Sequence, residues 1–163
     1  MFDLSHIHPM IVHFPIALLI VGFLFDVTGL ITKKEFFNKA GLYLLVLGSI
    51  GVLAAYLSGE NAGSGIEEAG ALKTALENHE DAAFLAAIIV SISFLFRVVI
   101  VYLKKYAGAL KFVSAFLFLL AVLAIARTGY YGGELVYKHA AGVELNLGFG
   151  SEAETPPADV DKD

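Results

Sequence analysis

The sequence predicts an all-α integral membrane protein, a four-helix bundle with both termini on the outer, periplasmic side. Three observations carry that expectation. Hydrophobic residues make up 58% of the 163-residue chain and the mean hydropathy is +0.75, above the apolar share of ordinary soluble domains. Four runs are apolar over the roughly 20 residues that cross a hydrocarbon core of about 30 Å. The segments joining those runs alternate between basic and acidic. Long, nearly uncharged runs argue against buried helices of a soluble fold, and they lack the polar–apolar alternation of membrane barrel strands.

The first span is expected from about Pro9 to Ile31. Its opening, "HIHPMIVHFPIALLI", sets three histidines and two prolines at the mouth of an apolar run. Pro9 suits a first helical position. Pro15 cannot donate to the carbonyl of Ile11, so a kink with free space beside His13 is expected. The start "MFDLSHIH" is acidic and the run after it is too long for a signal h-region, so the span is expected to stay as an anchor. The second span, "AGLYLLVLGSIGVLAAYLSG", covers Ala40–Gly59, where Gly48 and Gly51 allow close helix approach. The third, "AAFLAAIIVSISFLFRVVIVYL", covers Ala82–Leu103. The fourth covers Ala109–Tyr131 and leads into "GYYGGE", a second close-approach stretch. Residues 1–150 then form one transmembrane domain. The tail 151–163, "SEAETPPADVDKD", is acidic and proline-containing, and disorder is expected there. No internal repeat of the kind transporters carry is visible.

Charge orients the chain. "TKKEFFNK" and "KKYAGALK" together hold six lysines and one glutamate, whereas "ENAGSGIEEAGALKTALENHED" and the tail are strongly acidic. The positive-inside rule puts the lysine loops in the cytoplasm of a bacterium, with the protein in its inner membrane. Asp26 and Arg97 lie well inside spans one and three. Their similar depth predicts an ion pair inside the bundle, since a lone charge at that depth costs several kcal/mol.

Several function classes drop out. With no cysteine there is no disulfide, thiolate metal site or covalent c-type haem. A net charge of −5 without a basic stripe is no nucleic-acid footprint. "GSGIEEAG" lacks the strand and lysine of a phosphate loop, and "HE" at 79–80 is no HExxH motif because residue 83 is Ala.

The histidines remain. His6, His8 and His13 lie at the outer end of span one, His79 just before span three and His139 just after span four, so all five collect on one side. A histidine near the hydrocarbon boundary is costly to desolvate and commonly marks a site facing the bundle interior. Each also has a plain reading: His6 as an interfacial residue, His8 as a helix boundary, His79 and His139 as solvated side chains. His13, inside the apolar run, is the favoured ligand. His8 and His13 point about 140° apart on a helix of 3.6 residues per turn, so they do not readily serve one side of one ligand.

"HPMIVHFPIAL" and "GYYGGELVYKHAAGV" resemble the two ends of the DUF2231 family of bacterial membrane proteins, a likeness spanning Leu4 to about Val143. It implies four spans with histidines at the positions of His8, His13, His79 and His139. The family glycine after the last histidine is Ala140 here. The family is named for unknown function, and the resemblance implies only an association with redox or haem chemistry.

The expected function is therefore that of a b-type haem protein passing single electrons at the periplasmic face, rather than an enzyme. One or two haems would be held by His8, His13, His79 and His139, with helix two supporting the site from behind. Phe14, Phe84, Tyr130 and Tyr131 are candidate haem walls, and Arg127 is a candidate propionate partner. The partners expected are membrane lipids and a periplasmic or membrane redox protein. One rival is a non-haem zinc, copper or iron site on His13, His79 and His139, with Glu60, Glu80 and Glu134 nearby. The other is a structural role, as a homo-oligomer or an anchoring subunit of a larger complex.

Overall fold

The structure is a computed structural model and describes residues 7–63, 70–141 and 143. It is all-helical: α1 (Ile7–Thr32), α2 (Glu35–Gly63), α3 (Gly70–Tyr102) and α4 (Ala109–His139). Each helix is long and apolar enough to cross a membrane. Large apolar side chains such as Leu24, Ile50, Leu95 and Leu123 point outward, the pattern of helices that meet lipid on one face and each other on the opposite one.

The helices overrun the expected spans at the histidine end. α3 begins at Gly70 instead of Ala82, and α4 continues from Tyr131 to His139. Hydropathy registers only the part that lies in hydrocarbon. The 33 residues of α3 rise about 50 Å, against a core of about 30 Å, so polar turns continue the helix beyond the bilayer. His79 and His139 accordingly lie within helices, where the hydropathy spans had left them outside. The expected tail at 151–163 lies outside the described residues.

α1 packs mainly on α2 and α3 mainly on α4, with lesser contacts of α2 with α3 and of α1 with α4. The bundle is thus a square in which α1 faces α3 across one diagonal. Its core is Leu19, Leu45, Val52, Ala86, Val90, Phe118, Ala121 and Ile125, with Phe23 edge-on to Phe118 at 5.8 Å. Glycine sets the α1–α2 approach. A Cβ on Gly22 would stand 2.9 Å from the Leu44 Cβ, and one on Gly41 would stand 3.1 Å from the Gly22 carbonyl oxygen. Gly48 faces Leu19, and Gly51 faces Pro15 at 3.1 Å. Pro15 is buried and α1 runs through it unbroken, so it fills the seam with α2 and opens no space beside His13. α4 ends with Ala140 in the left-handed region at φ 50°; its N–H bonds the Val136 carbonyl and that of Ala141 bonds Leu135. Glycine is the usual residue at such a cap, and Ala140 takes that place here.

Candidate functional site at the histidine end

His8 and His79 come from diagonal helices and meet across the bundle. Their ring centroids are 6.5 Å apart with planes at 81°. Both are half-buried. The His8 Nδ1 lies 3.0 Å from the Ser58 Oγ of α2. That hydroxyl donates its own proton to the Ala55 carbonyl, so it accepts from His8. The His79 Nδ1 donates to the Thr128 carbonyl of α4 at 3.2 Å. Each imidazole is thereby fixed as the Nδ1–H tautomer, which leaves Nε2 with its lone pair free.

Two glycines make these positions possible. A Cβ on Gly59 would come within 3.0 Å of the His8 Cε1, and one on Gly132 within 3.2 Å of the His79 Cε1. Gly132 is four residues past Thr128, so its missing side chain also uncovers the carbonyl that His79 uses. All four helices contribute: α1 and α3 carry the rings, while α2 and α4 anchor them.

The other candidates stand apart from this pair. His13 is exposed and donates from Nδ1 to the Pro9 carbonyl of its own helix at 2.7 Å. His139 is half-buried in the last turn of α4, and no ring contact or hydrogen bond joins it to His8 or His79. Phe14, Phe84 and Tyr130 are 68%, 55% and 64% exposed, so they face outward instead of walling the pair. Arg127 stacks over the Tyr131 ring at 5.3 Å. Glu134 pairs with Lys138. Among the described residues no group of three or more His, Asp or Glu side chains gathers as a metal cluster.

Residues 5–145 match the family described as "Predicted membrane protein (DUF2231)". The chain belongs to this family. Neither the curated proteins nor the solved structures contain a match. In this DUF2231 chain, the sequence marks His8 and His79 among four candidate histidines and "GYYGGE", which holds Gly132, as a close-approach stretch, but it does not mark Ser58, Gly59 or Thr128 as neighbours of the pair. The signal for the glycines was there: Gly59 and Gly132 sit at the same end as the histidines. What hydropathy does not give is which faces meet.

Asp26 and Arg97 meet at the opposite, lysine-rich end. Arg97 and Asp26 are 2% and 0% exposed, and the Arg97 Nη2 donates to the Asp26 Oδ1 at 2.6 Å. Arg97 Nη1 donates to Ser114 Oγ at 3.0 Å and to Asp26 Oδ2 at 3.3 Å, and Nη2 also reaches the Asn38 carbonyl at 3.3 Å. The Tyr106 hydroxyl donates to Asp26 Oδ1 at 3.2 Å, and its ring lies 3.8 Å under the guanidinium. The network ties α1, α2, α3 and α4 to one point.

Proposed function

We propose that the histidine end holds a haem b iron between His8 and His79 and that the protein passes single electrons there. The observation that supports this reading is the anchored imidazole pair. A ligating histidine characteristically donates its second ring N–H to a fixed acceptor, and both rings do so. His8 and His79 would hold the iron, and their rings face each other across the bundle with centroids 6.5 Å apart.

The number of donors favours haem over a bare metal. Structural zinc takes four protein ligands, whereas haem iron takes its remaining four nitrogens from the macrocycle and asks the protein for two. When bound, such a haem would supply one-electron transfer. In this chain Ser58 and Thr128 would orient the rings, and Gly59 and Gly132 would keep the neighbouring helices clear of them. The positive-inside rule assigns the lysine end to the cytoplasm of a bacterial inner membrane. The site then serves a partner at the outer face.

The test is haemin titration of the full-length protein in detergent, followed at the Soret band. Wild type is expected to bind haemin and, on reduction, to give the sharp alpha band of a six-coordinate haem. His8→Ala and His79→Ala should each abolish that spectrum, while His13→Ala should leave it unchanged. An unaltered spectrum in the His8→Ala/His79→Ala double variant would overturn the proposal.

A further inference from the structure

Between the lysine loops lies a cavity of about 360 Å³ that the electron-transfer reading does not use. Its lining includes Lys33, Lys104, Lys111, Asn38, Tyr106 and the buried Arg97. This volume falls in the range of small-ligand sites, about 300–1,000 Å³. Lys39 and Glu35 also line it and pair with each other at 3.2 Å, so the remaining lining charge is positive. Among the described residues no carboxylate pairs with Lys33, Lys104 or Lys111.

Two features go beyond loop charge. Arg97 spends its four terminal N–H donors on Asp26, Ser114 and Asn38, which leaves Nε–H buried without a partner. An unpaired buried donor is costly unless something else satisfies it. Lys33 and Lys104 take left-handed backbone conformations at φ 58° and 57°, one residue past the end of α1 and two past the end of α3. Glycine is the residue expected there, so lysine side chains stand at the cavity mouth where a side chain is disfavoured. Lys34 and Lys105 carry the same charge in the same loops and do not line the cavity. Orientation in the membrane depends only on the count of charges, and does not require that a particular subset converge on one cavity.

We propose that this cavity binds a phosphate-bearing anion, with Lys33, Lys104 and Lys111 at its mouth and Arg97 beneath. The phosphate could belong to an anionic lipid headgroup, the class that basic pockets between membrane helices commonly take, or to a small soluble anion.

The experiment titrates the full-length protein in neutral detergent with three probes: inorganic phosphate, short-chain phosphatidylglycerol and short-chain phosphatidylcholine. Binding is read by calorimetry. Phosphatidylglycerol without phosphate identifies a lipid site, and binding of phosphate identifies a soluble one; phosphatidylcholine should bind neither way. The Lys104→Asn/Lys111→Gln variant keeps a residue tolerant of the left-handed region at 104 and should weaken binding about tenfold or more. The Lys34→Gln/Lys105→Gln variant removes equal charge and should change binding less than about twofold. Lys33→Asn, from the other wall, gives an independent reading if the first variant does not fold. Equal weakening by the two double variants, or no binding of either anionic probe to wild type, would overturn the proposal.

Discussion

Asp26 and Arg97 are both buried and bonded to each other, yet losing one is not the same as losing the other. With Asp26→Ala the guanidinium keeps Ser114, Asn38 and Tyr106 but no counter-charge, and a guanidinium cannot give up its proton. After Arg97→Leu, the Asp26 carboxylate keeps the Tyr106 hydroxyl but loses both guanidinium bonds. Breaking a buried pair by removing one partner costs about 3–5 kcal/mol. Asp26→Ala and Arg97→Leu are therefore each expected to cost about 3–5 kcal/mol, with the Asp26→Ala/Arg97→Leu double variant milder than either single change. Unfolding in increasing sodium dodecyl sulfate, followed by circular dichroism, would measure the three. Equal losses in all three would mean that the ion pair is not what holds these groups. At this scale the sequence was informative, because opposite charges at similar depth in two apolar spans must find each other. It could not show Asn38, Ser114 or Tyr106 as their partners, since each is an ordinary loop or helix residue until the bundle closes.

Among the elements, the α1–α2 pair is the one most dependent on missing side chains. Gly22 and Gly41 stand opposed in the seam, and in lipid such close approach takes the place of a hydrophobic driving force between helices. Gly22→Ala would press its new methyl against the Leu44 Cβ at 2.9 Å and the Phe118 ring at 3.1 Å. A loss of about 1–3 kcal/mol is expected from such overpacking. Gly129 lies in α4 with nothing within 4 Å of the position of its Cβ. Gly129→Ala should then be neutral or stabilise by up to about 1 kcal/mol through helix propensity. The same detergent unfolding compares the two, and a milder effect at Gly22 than at Gly129 would show that the seam yields easily. Four helices were legible from hydropathy alone. Their ends were not, because α3 and α4 continue where the chain leaves hydrocarbon and hydropathy falls silent. The pairing of His8 with His79 was hidden for a related reason. It depends on which helices are diagonal and which faces turn inward, and helices that are apolar all round do not declare an inner face. His13 read as the stronger candidate from its place in the apolar run, yet its own side chain is exposed on α1.

For the molecule as a whole, the two candidate sites occupy opposite ends. His8 and Asp26 are eighteen positions apart on α1, about 27 Å along the axis, so electrons at the histidine end and anions at the lysine end would be handled on opposite sides of the membrane. Which side is which follows from charge. Lys33, Lys34, Lys39, Lys104, Lys105 and Lys111 gather at one end, whereas Glu60, Glu77, Glu80 and Asp81 lie toward the other. Lysine within reach of a span resists translocation, and carboxylates contribute little. The lysine end is thus expected in the cytoplasm. The chain has no cysteine, so a single introduced thiol reports without background. Thr74→Cys, exposed in α3 beyond the apolar run, should react with a membrane-impermeant maleimide in intact cells, and so should Tyr137→Cys, at a side chain that is 91% exposed. Lys105→Cys should react only after lysis. The opposite pattern would turn the bundle over and bring the histidine pair to the cytoplasm, where its redox partner would have to be a cytoplasmic one.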